Sequence, residues 1–240
     1  MAEDRPTRYL SDEAEAALMQ VSTATLTSQL LKRGFRNTFL TGVEPLRPDL
    51  RMVGYAFTLR FVPMREDLDH SGPINNLTSA QRIAIESVGP SDVLVMDARG
   101  DLNSGTIGDI LATRMKVRGA VGVVTDGALR DRKGMQATGL PSYARATHAS
   151  ASPTRHHPAD INQPIGCAGV LVMPGDVVVG DADGVVIIPQ AVAEDVAMAA
   201  LEQEEFEAYV LTRIEAGASI IGVYPPDEKT RAEFDASRTQ

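Results

Sequence analysis

Three residues of this 240-residue chain combine the types and spacing needed to handle a cation and an anion together. They are Asp109 and, after twenty intervening residues, the pair Arg130-Asp131. Carboxylate oxygens are the donors a hard divalent cation prefers. A planar guanidinium grips a carboxylate or a developing oxyanion through two parallel N–H groups. The stretch between them supplies the means of bringing them together. After Ser104-Gly105-Thr106, a flexible hydroxyl-bearing lead-in, Ile107, Ile110, Leu111 and Met115 recur at helical spacing. Gly119 closes that helix, because a C-terminal cap favours a residue that tolerates the left-handed conformation. Ala120-Val121-Gly122-Val123-Val124 reads as a short buried strand, with Asp126-Gly127 as the turn that ends it. A helix beginning at Asp109 and a strand running back beside it deliver both ends to one sheet edge, where the helix's first-turn N–H groups are also free. That edge suits a divalent cation plus an anionic substrate. The competing reading is structural, with Asp109 as a helix cap and Arg130-Asp131 as a surface ion pair. Spacing alone leaves both open.

The elements that must position these residues follow in chain order. Residues 1–9 are polar. Ser11-Asp12-Glu13 reads as a helix start, with Ser11 as cap and acids in the first turn. Leu18, Val21, Leu26, Leu30 and Leu31 carry an apolar stripe through two short helices that break near Ser22-Thr23 and end at Gly34. Beyond Pro45 and Pro48, the run from Met52 to Phe61 is a mostly apolar strand. Residues 77–88 form a helix stopped by Gly89-Pro90, and Val93-Leu94-Val95-Met96-Asp97 is a buried strand leading through Ala98-Arg99-Gly100 to the central stretch. Later come three short strands: Val170 to Met173, Val177 to Val179, and Val185 to Ile188. Pro174-Gly175-Asp176 and Asp181-Ala182-Asp183-Gly184 punctuate them as turns. One long helix runs from Pro189 to Ala216, with Gly217 at its end. No repeat, low-complexity tract or linker interrupts the chain, so one domain over 1–240 is expected, with 1–9 and the C-terminal end peripheral.

Composition removes several function classes. A net charge of −9 with no uninterrupted basic cluster argues against a nucleic-acid partner. No apolar run reaches the ~18 residues a membrane-spanning helix needs, and the polar start lacks the pattern of a signal peptide, so a cytoplasmic location is expected. The single cysteine, Cys167 in GCAGVLV, excludes an intrachain disulfide and reads as a small buried residue. Asp67-x-Asp69-His70 has metal-ligand types but sits in a polar loop of the kind solvation alone explains. His148 and the adjacent His156-His157 are read as exposed; neighbours on a strand point to opposite sides and do not chelate jointly. Glu202, Glu204, Glu205 and Glu207 read as a solvated helix face. Lys116 lies in the last turn of its helix, where the helix dipole already favours a cation.

The central stretch also resembles a known family. Asp109, twenty residues and Arg130-Asp131 are similar to the D-x20-R-D signature of the RraA-like family, which includes the class II (divalent-metal) 4-hydroxy-4-methyl-2-oxoglutarate aldolases. STATLTSQLLKRG, GDILAT, RGAVGVVTDGALRD and INQPIGCAGVLVMPGDVVVGDADGVVIIP resemble that family in order, over about residues 20 to 215. The resemblance implies an α/β fold of the swivelling, phosphohistidine-domain-like type, a β/β/α sandwich with mixed sheets. It implies a homotrimer or a dimer of trimers, with sites between subunits.

It also implies a lyase that acts on a small 2-oxo acid through a pyruvate enolate, by aldol cleavage or by oxaloacetate-type decarboxylation. Asp131 would ligate Mg2+ (or Mn2+) directly and Asp109 through water, with the metal acting as a Lewis acid. Arg130 would hold the substrate's oxygen, and the turn of Gly108, Ile110 and Leu111 its pyruvyl carboxylate. Some of these aldolases carry an acid in the first helix, where this chain has Thr27-Ser28-Gln29. They also use a glutamate from a neighbouring subunit's final helix, for which Glu204 and Glu207 are the candidates. The family's regulators of ribonuclease activity form the alternative. They lack the aspartate after the arginine, so Asp131 favours an enzyme.

Overall fold

The computed structural model describes residues 9–69 and 74–238. Helices α1 (Asp12–Leu18) and α2 (Thr23–Lys32) begin at Ser11 and Ser22, whose side chains accept from the backbone N–H groups of Ala14 and Thr25. Short β1 (Glu44–Pro45), long β2 (Met52–Pro63), α3 (Ala80–Ser87), β3 (Asp92–Asp97), α4 (Asp109–Val117), β4 (Gly122–Leu129), α5 (Arg132–Thr138) and β5 (Ser142–Thr147) follow. Next come a 3-10 turn (Ser152–Thr154), β6 (His156–Ile161), β7 (Ile165–Cys167), β8 (Val170–Val172), β9 (Val177–Gly180), β10 (Val185–Ile188), α6 (Gln190–Glu215) and α7 (Glu228–Ser237).

Among the described residues, eight strands form one mixed sheet in the order β1-β5-β4-β3-β2-β9-β10, with β6 also paired to β2. The four strands from β2 to β5 run parallel through helical crossovers; the flanking pairs are antiparallel. The segment before β1 nearly closes this sheet on itself. Leu40 donates its N–H to Val185 O at 2.9 Å, Ile187 donates to Thr38 O at 2.8 Å, and Glu44 then pairs with Ala144 of β5. Both ends of the sheet are thereby tied through one stretch of chain, which leaves little exposed edge.

Alternation along the strands divides the core in two. Met52, Ala56, Val93, Val95, Val124, Val178 and Ile187 point inward, where the β7–β8 hairpin plugs the curl with Ile165, Cys167, Val170 and Val172. Their neighbours point outward under helices. Phe57, Leu59, Leu94, Met96 and Val123 meet Ala84, Ile85, Ala112 and Met115 of α3 and α4. Val53, Tyr55, Val177 and Val179 meet α1, α2 and α6. Helices, large sheet and small sheet form the layers expected of the β/β/α sandwich. Cys167 is buried, as its apolar surroundings in the sequence suggest. No helix is long and apolar enough to cross a membrane among the described residues.

Several local expectations are corrected. Asp126-Gly127 does not end its strand: β4 continues to Leu129, and the pair sits at an irregularity in the β4–β5 register. The reason is a long-range interaction. The Asp126 carboxylate accepts the backbone N–H of Ala98 at 2.7 Å and of Gly100 at 3.0 Å, and a Cβ on Gly127 would come within 2.6 Å of Ala98. Ser104-Gly105-Thr106 is not flexible. All three are buried, with Gly105 donating to Ser150 O at 2.9 Å and Thr106 to Ala128 O at 2.7 Å. The 77–88 helix starts only at Ala80, leaving Leu77 exposed, and Leu31 leaves the apolar stripe at 60% exposure. α5 and α7 were not anticipated.

Asp126 therefore fastens the loop that leads from β3 to α4. Asp126→Ala leaves two backbone donors without a partner, at roughly 1–3 kcal/mol for a buried unsatisfied group. A marked fall in thermal midpoint by calorimetry or circular dichroism is expected; an unchanged midpoint would show that the bulge is held by something else.

Candidate functional site

The site forms where the starts of α4 and α5 meet at the end of β4. Gly108 is the N-cap of α4 and has no side chain to cap with, so Asp109 stands as the first helical residue. Arg130 follows β4 and is fixed to the α4 lead-in by its N–H to Ile107 O at 2.8 Å. Asp131 caps α5 with φ 53° and ψ 46°, the left-handed region. For a residue with a Cβ that conformation costs roughly 1–2 kcal/mol, and aspartate is among the few types that visit it.

This strained backbone lets two carboxylates cross over. A Cβ on Gly108 would fall 2.4 Å from Asp131 Oδ2, so the Asp131 side chain lies against the start of α4. A Cβ on Gly134 would fall 2.1 Å from Asp109 Oδ2, so the Asp109 side chain lies against the first turn of α5. Each acid is seated on a glycine of the other's helix. Neither makes a hydrogen bond or ion pair with any described residue, and Asp131 does not use its side chain as a cap. Arg130 packs its stem on Gly105, where a Cβ would meet its Cγ at 2.1 Å. Its Nε is enclosed without a partner, and it forms no ion pair with Asp131. The structural reading, a capping Asp109 and a surface pair Arg130–Asp131, therefore fails on both counts.

Beside this junction lies a cleft of about 350 Å³ lined by Gln81, Arg82, Arg130, Leu111 and the backbone from Gly105 to Gly108, with Ser152 and Thr154 opposite. Gln81 holds the rim by donating its side-chain amide to Thr106 O. The N–H groups of Asp109, Ile110 and Leu111 have no acceptor among the described residues, the first internal bond of α4 being Ala112 N–H to Gly108 O at 3.1 Å. They are the donors a helix start offers an anion. Asp109, Gly108, Ile110, Leu111, Arg130 and Asp131 are thus brought together by the fold.

Glu204 and Glu207 are not part of that group within one chain. Both stand on α6, which packs against α1 and α2. Glu204 accepts the Ser22 N–H at the start of α2, and Glu207 accepts the side-chain amide of Gln203 at 2.8 Å. Lys116 bonds Thr138 O and ties the ends of α4 and α5 together.

The histidines correct another expectation. His156 is 1% exposed, with its ring 5.3 Å from that of Phe61; burial first, and Arg99 second, push its pKa down. His157 is half-buried and its Nδ1 meets Asp69 at 2.8 Å, while His148 accepts the Ser150 N–H at 3.1 Å. Asp67 pairs with Arg65, and His70 lies outside the described residues.

The fit of a divalent cation rests on the two unpartnered carboxylates. They offer only hard oxygen donors, and no group of three or more potential protein ligands occurs among the described residues. Few protein ligands and several open positions is how magnesium is commonly held. The sequence reading missed Gly134, Gly105, Gln81 and Arg82. The glycines carried a signal only in pairs, since each matters as the seat of a side chain elsewhere.

The chain as a whole is similar to known proteins. A family model described as RraA-like (Aldolase/RraA) matches residues 13–187. A protein of Halalkalibacterium halodurans named "Putative 4-hydroxy-4-methyl-2-oxoglutarate aldolase" is 36% identical over 162 residues, 68% of this chain and 71% of that protein. The crystal structure of Streptomyces coelicolor RraAS2, described as an unusual member of the RNase ES inhibitor RraA protein family, superposes with a TM-score of 0.75. It is 33% identical, and the match covers 85% of this chain and 98% of that one. The RNA-processing inhibitor RraA from Thermus thermophilis matches with a TM-score of 0.54 at 26% identity, over 71% and 94% of the two chains.

The crossed seating of the carboxylates makes a specific prediction. Gly134 lies inside α5 with an ordinary helical backbone, so alanine there raises helix propensity by about 1 kcal/mol while displacing Asp109. In Gly134→Ala a near-native thermal midpoint is expected, together with Mg2+ affinity weakened roughly 10-fold or more in calorimetric titration, since small misplacements at such sites cost up to about two orders of magnitude. Wild-type Mg2+ affinity would show that Asp109 has no part in a metal site.

Proposed function

This chain belongs to the RraA-like (Aldolase/RraA) family, and on that premise we propose that it is a divalent-metal-dependent lyase that breaks a carbon–carbon bond in a 2-oxo acid. The observation that carries the reading is the pair of unpartnered carboxylates, Asp109 and Asp131, beside an arginine whose Nε is buried without a partner. The aldolase name of the Halalkalibacterium halodurans relative supports it. Asp131 and Asp109 would hold Mg2+ or Mn2+, Asp131 directly and Asp109 through water. When bound, the cation supplies Lewis acidity toward the substrate's 2-oxo oxygen.

This chain's own residues account for binding and orientation. The first-turn N–H groups of Ile110 and Leu111 donate to the substrate carboxylate, and the partial positive charge of the helix start favours that anion. Arg130 donates to the 2-oxo oxygen, which gains negative charge as the electron pair of the breaking bond moves toward it. A donor already fixed in place at the oxygen where charge develops lowers the barrier without reorganising during the reaction. The buried stem of Arg130 on Gly105 provides that fixity. In aldol cleavage a proton also leaves the departing hydroxyl; in decarboxylation carbon dioxide leaves and none is needed there. The proton acceptor belongs to the proposal's assembly: a trimer or a dimer of trimers in which Glu204 or Glu207 of a neighbouring copy reaches the site.

A second reading is a non-catalytic regulator of ribonuclease activity, favoured by the likeness to the Streptomyces coelicolor RNase ES inhibitor family member. The composition of the site supports the lyase reading over this one. A binding protein has no need of two bare carboxylates and a strained aspartate at one helix junction, whereas a metal-dependent lyase does.

Three outcomes are expected. Turnover of oxaloacetate, followed by loss of its ultraviolet absorbance, should require Mg2+ or Mn2+ and vanish in EDTA; full activity in chelated, metal-free protein would contradict the mechanism. Asp131→Ala should abolish both Mg2+ binding and turnover, and unchanged affinity would transfer preference to the regulator reading. Arg130→Lys keeps the charge but loses the planar fork. It should bind Mg2+ normally while kcat falls by ~10²-fold, the usual loss for one preorganised oxyanion donor.

A further inference from the structure

The cleft beside Arg130 contains a second arginine that the lyase reading leaves without a task. Arg82 stands on α3, half-buried, and lines the same cleft as Arg130. Its Nε is enclosed and has no hydrogen-bond partner, and no described acid forms an ion pair with it. None of the residues lining the cleft is an aspartate or a glutamate. Burial pulls the Arg82 pKa down, so its surroundings tax the charge without an acid in compensation.

A shortage of acids does not explain this. Glu86 lies four residues further along the same helix, the spacing at which an arginine and a glutamate ordinarily pair. Glu86 is instead taken by Arg114 of α4 at 2.7 Å and by Arg118, the C-cap of α4, at 3.6 Å. Arg82 and Arg130 both line the cleft with Nε enclosed and unpartnered, whereas Arg114 and Arg118 share the glutamate. Apart from Arg82 and Arg130 the cleft is lined by uncharged residues, among them Gln81, Thr106, Ser152 and Thr154 and the apolar Ile107 and Leu111. The space, about 350 Å³, lies at the small end of ligand pockets and fits a short-chain acid.

We propose that Arg82 is the specificity-determining residue of this cleft: its guanidinium grips the second carboxylate of a 2-oxo dicarboxylate, a contact that a 2-oxo monocarboxylate cannot make. The inference rests on the lyase reading for the placement of the first carboxylate and the 2-oxo group near Arg130 and the start of α4. The second carboxylate then meets a guanidinium whose Nε is already enclosed and unpaired. Such a pair forms a charge-assisted contact, and the Nε–H loses no protein partner in making it. A monocarboxylate leaves that Nε–H enclosed and unpaired, and that asymmetry is the source of discrimination.

The test compares two non-reacting probes that differ only in the distal carboxylate, 2-oxoglutarate and 2-oxobutyrate, by calorimetric titration in the presence of Mg2+. Wild type should bind 2-oxoglutarate at least about 10-fold more tightly, one hydrogen-bonded charge pair being worth about that much or more. Arg82→Gln should bind both with the affinity wild type shows for 2-oxobutyrate, and Arg82→Lys should keep part of the preference, which also controls for misfolding. A preference undiminished in Arg82→Gln, or no preference in wild type, overturns the proposal. Exchange of the pyruvate methyl protons for deuterium, read by NMR, uses no distal carboxylate and reports on the lyase reading separately. Arg82→Gln should exchange within about twofold of wild type, and a matching collapse of exchange would make Arg82 a residue of general structural importance instead. Failure of exchange in wild type counts against the lyase reading while the calorimetric preference still decides the role of Arg82.

Discussion

Two carboxylates that rest on each other's helix starts, paired with no group among the described residues, are the constraint around which this molecule is arranged. Asp131 lies on Gly108 and Asp109 on Gly134, so the starts of α4 and α5 approach closely and a side chain on either glycine would displace the acid that rests on it. Asp131 is exposed and Asp109 half-buried, so both carboxylates stay open to a ligand from solvent. The left-handed backbone at Asp131 persists because the surrounding structure over-determines it. The junction is clamped from several sides, and the donors it presents are hard oxygens, the type a divalent cation prefers.

The clamps explain features that otherwise look unrelated. The curl of the sheet brings β4 under α4. Asp126 fastens the loop after β3, the hydrogen bonds of Gly105 and Thr106 fix the approach to α4, and Lys116 ties its far end to α5. The left-handed Asp131 turns the chain sharply from β4 into α5, and this turn is what points its carboxylate at α4. Local strain at that residue is thus balanced by long-range contacts in the core beneath it, where Leu129 and Met135 are fully buried on either side.

Much of this was legible in the sequence, and the parts that were not share a cause. The apolar spacing from Ile107 to Met115, of which Ile110 proves 80% exposed, the cap at Gly119 and the serine caps at Ser11 and Ser22 are local signals, and the corresponding helices stand where the spacing put them. Asp126-Gly127 carries the same local signal as a turn, yet forms a bulge because its partners, Ala98 and Gly100, are distant in sequence. α5 was hidden because it is short and its cap, Asp131, spends its side chain elsewhere. His156 looked polar beside His157, but the strand pairing with β2 drives it inward against Phe61. The family signature identified Asp109, Arg130 and Asp131; no spacing rule identified Gly134 or Arg82, whose significance is entirely tertiary.

The central claim is that the crossed carboxylates hold a divalent cation. Crystals of the protein grown with Mn2+, with diffraction recorded at the manganese absorption edge, test it most directly. The account predicts an anomalous difference peak within bonding distance of an Asp131 carboxylate oxygen, at roughly 2.0–2.6 Å, the range for hard cations on oxygen ligands, with Asp109 in reach through a bound water. An Asp131 carboxylate with no manganese beside it, in crystals whose ordered manganese lies at other positions, would contradict the account.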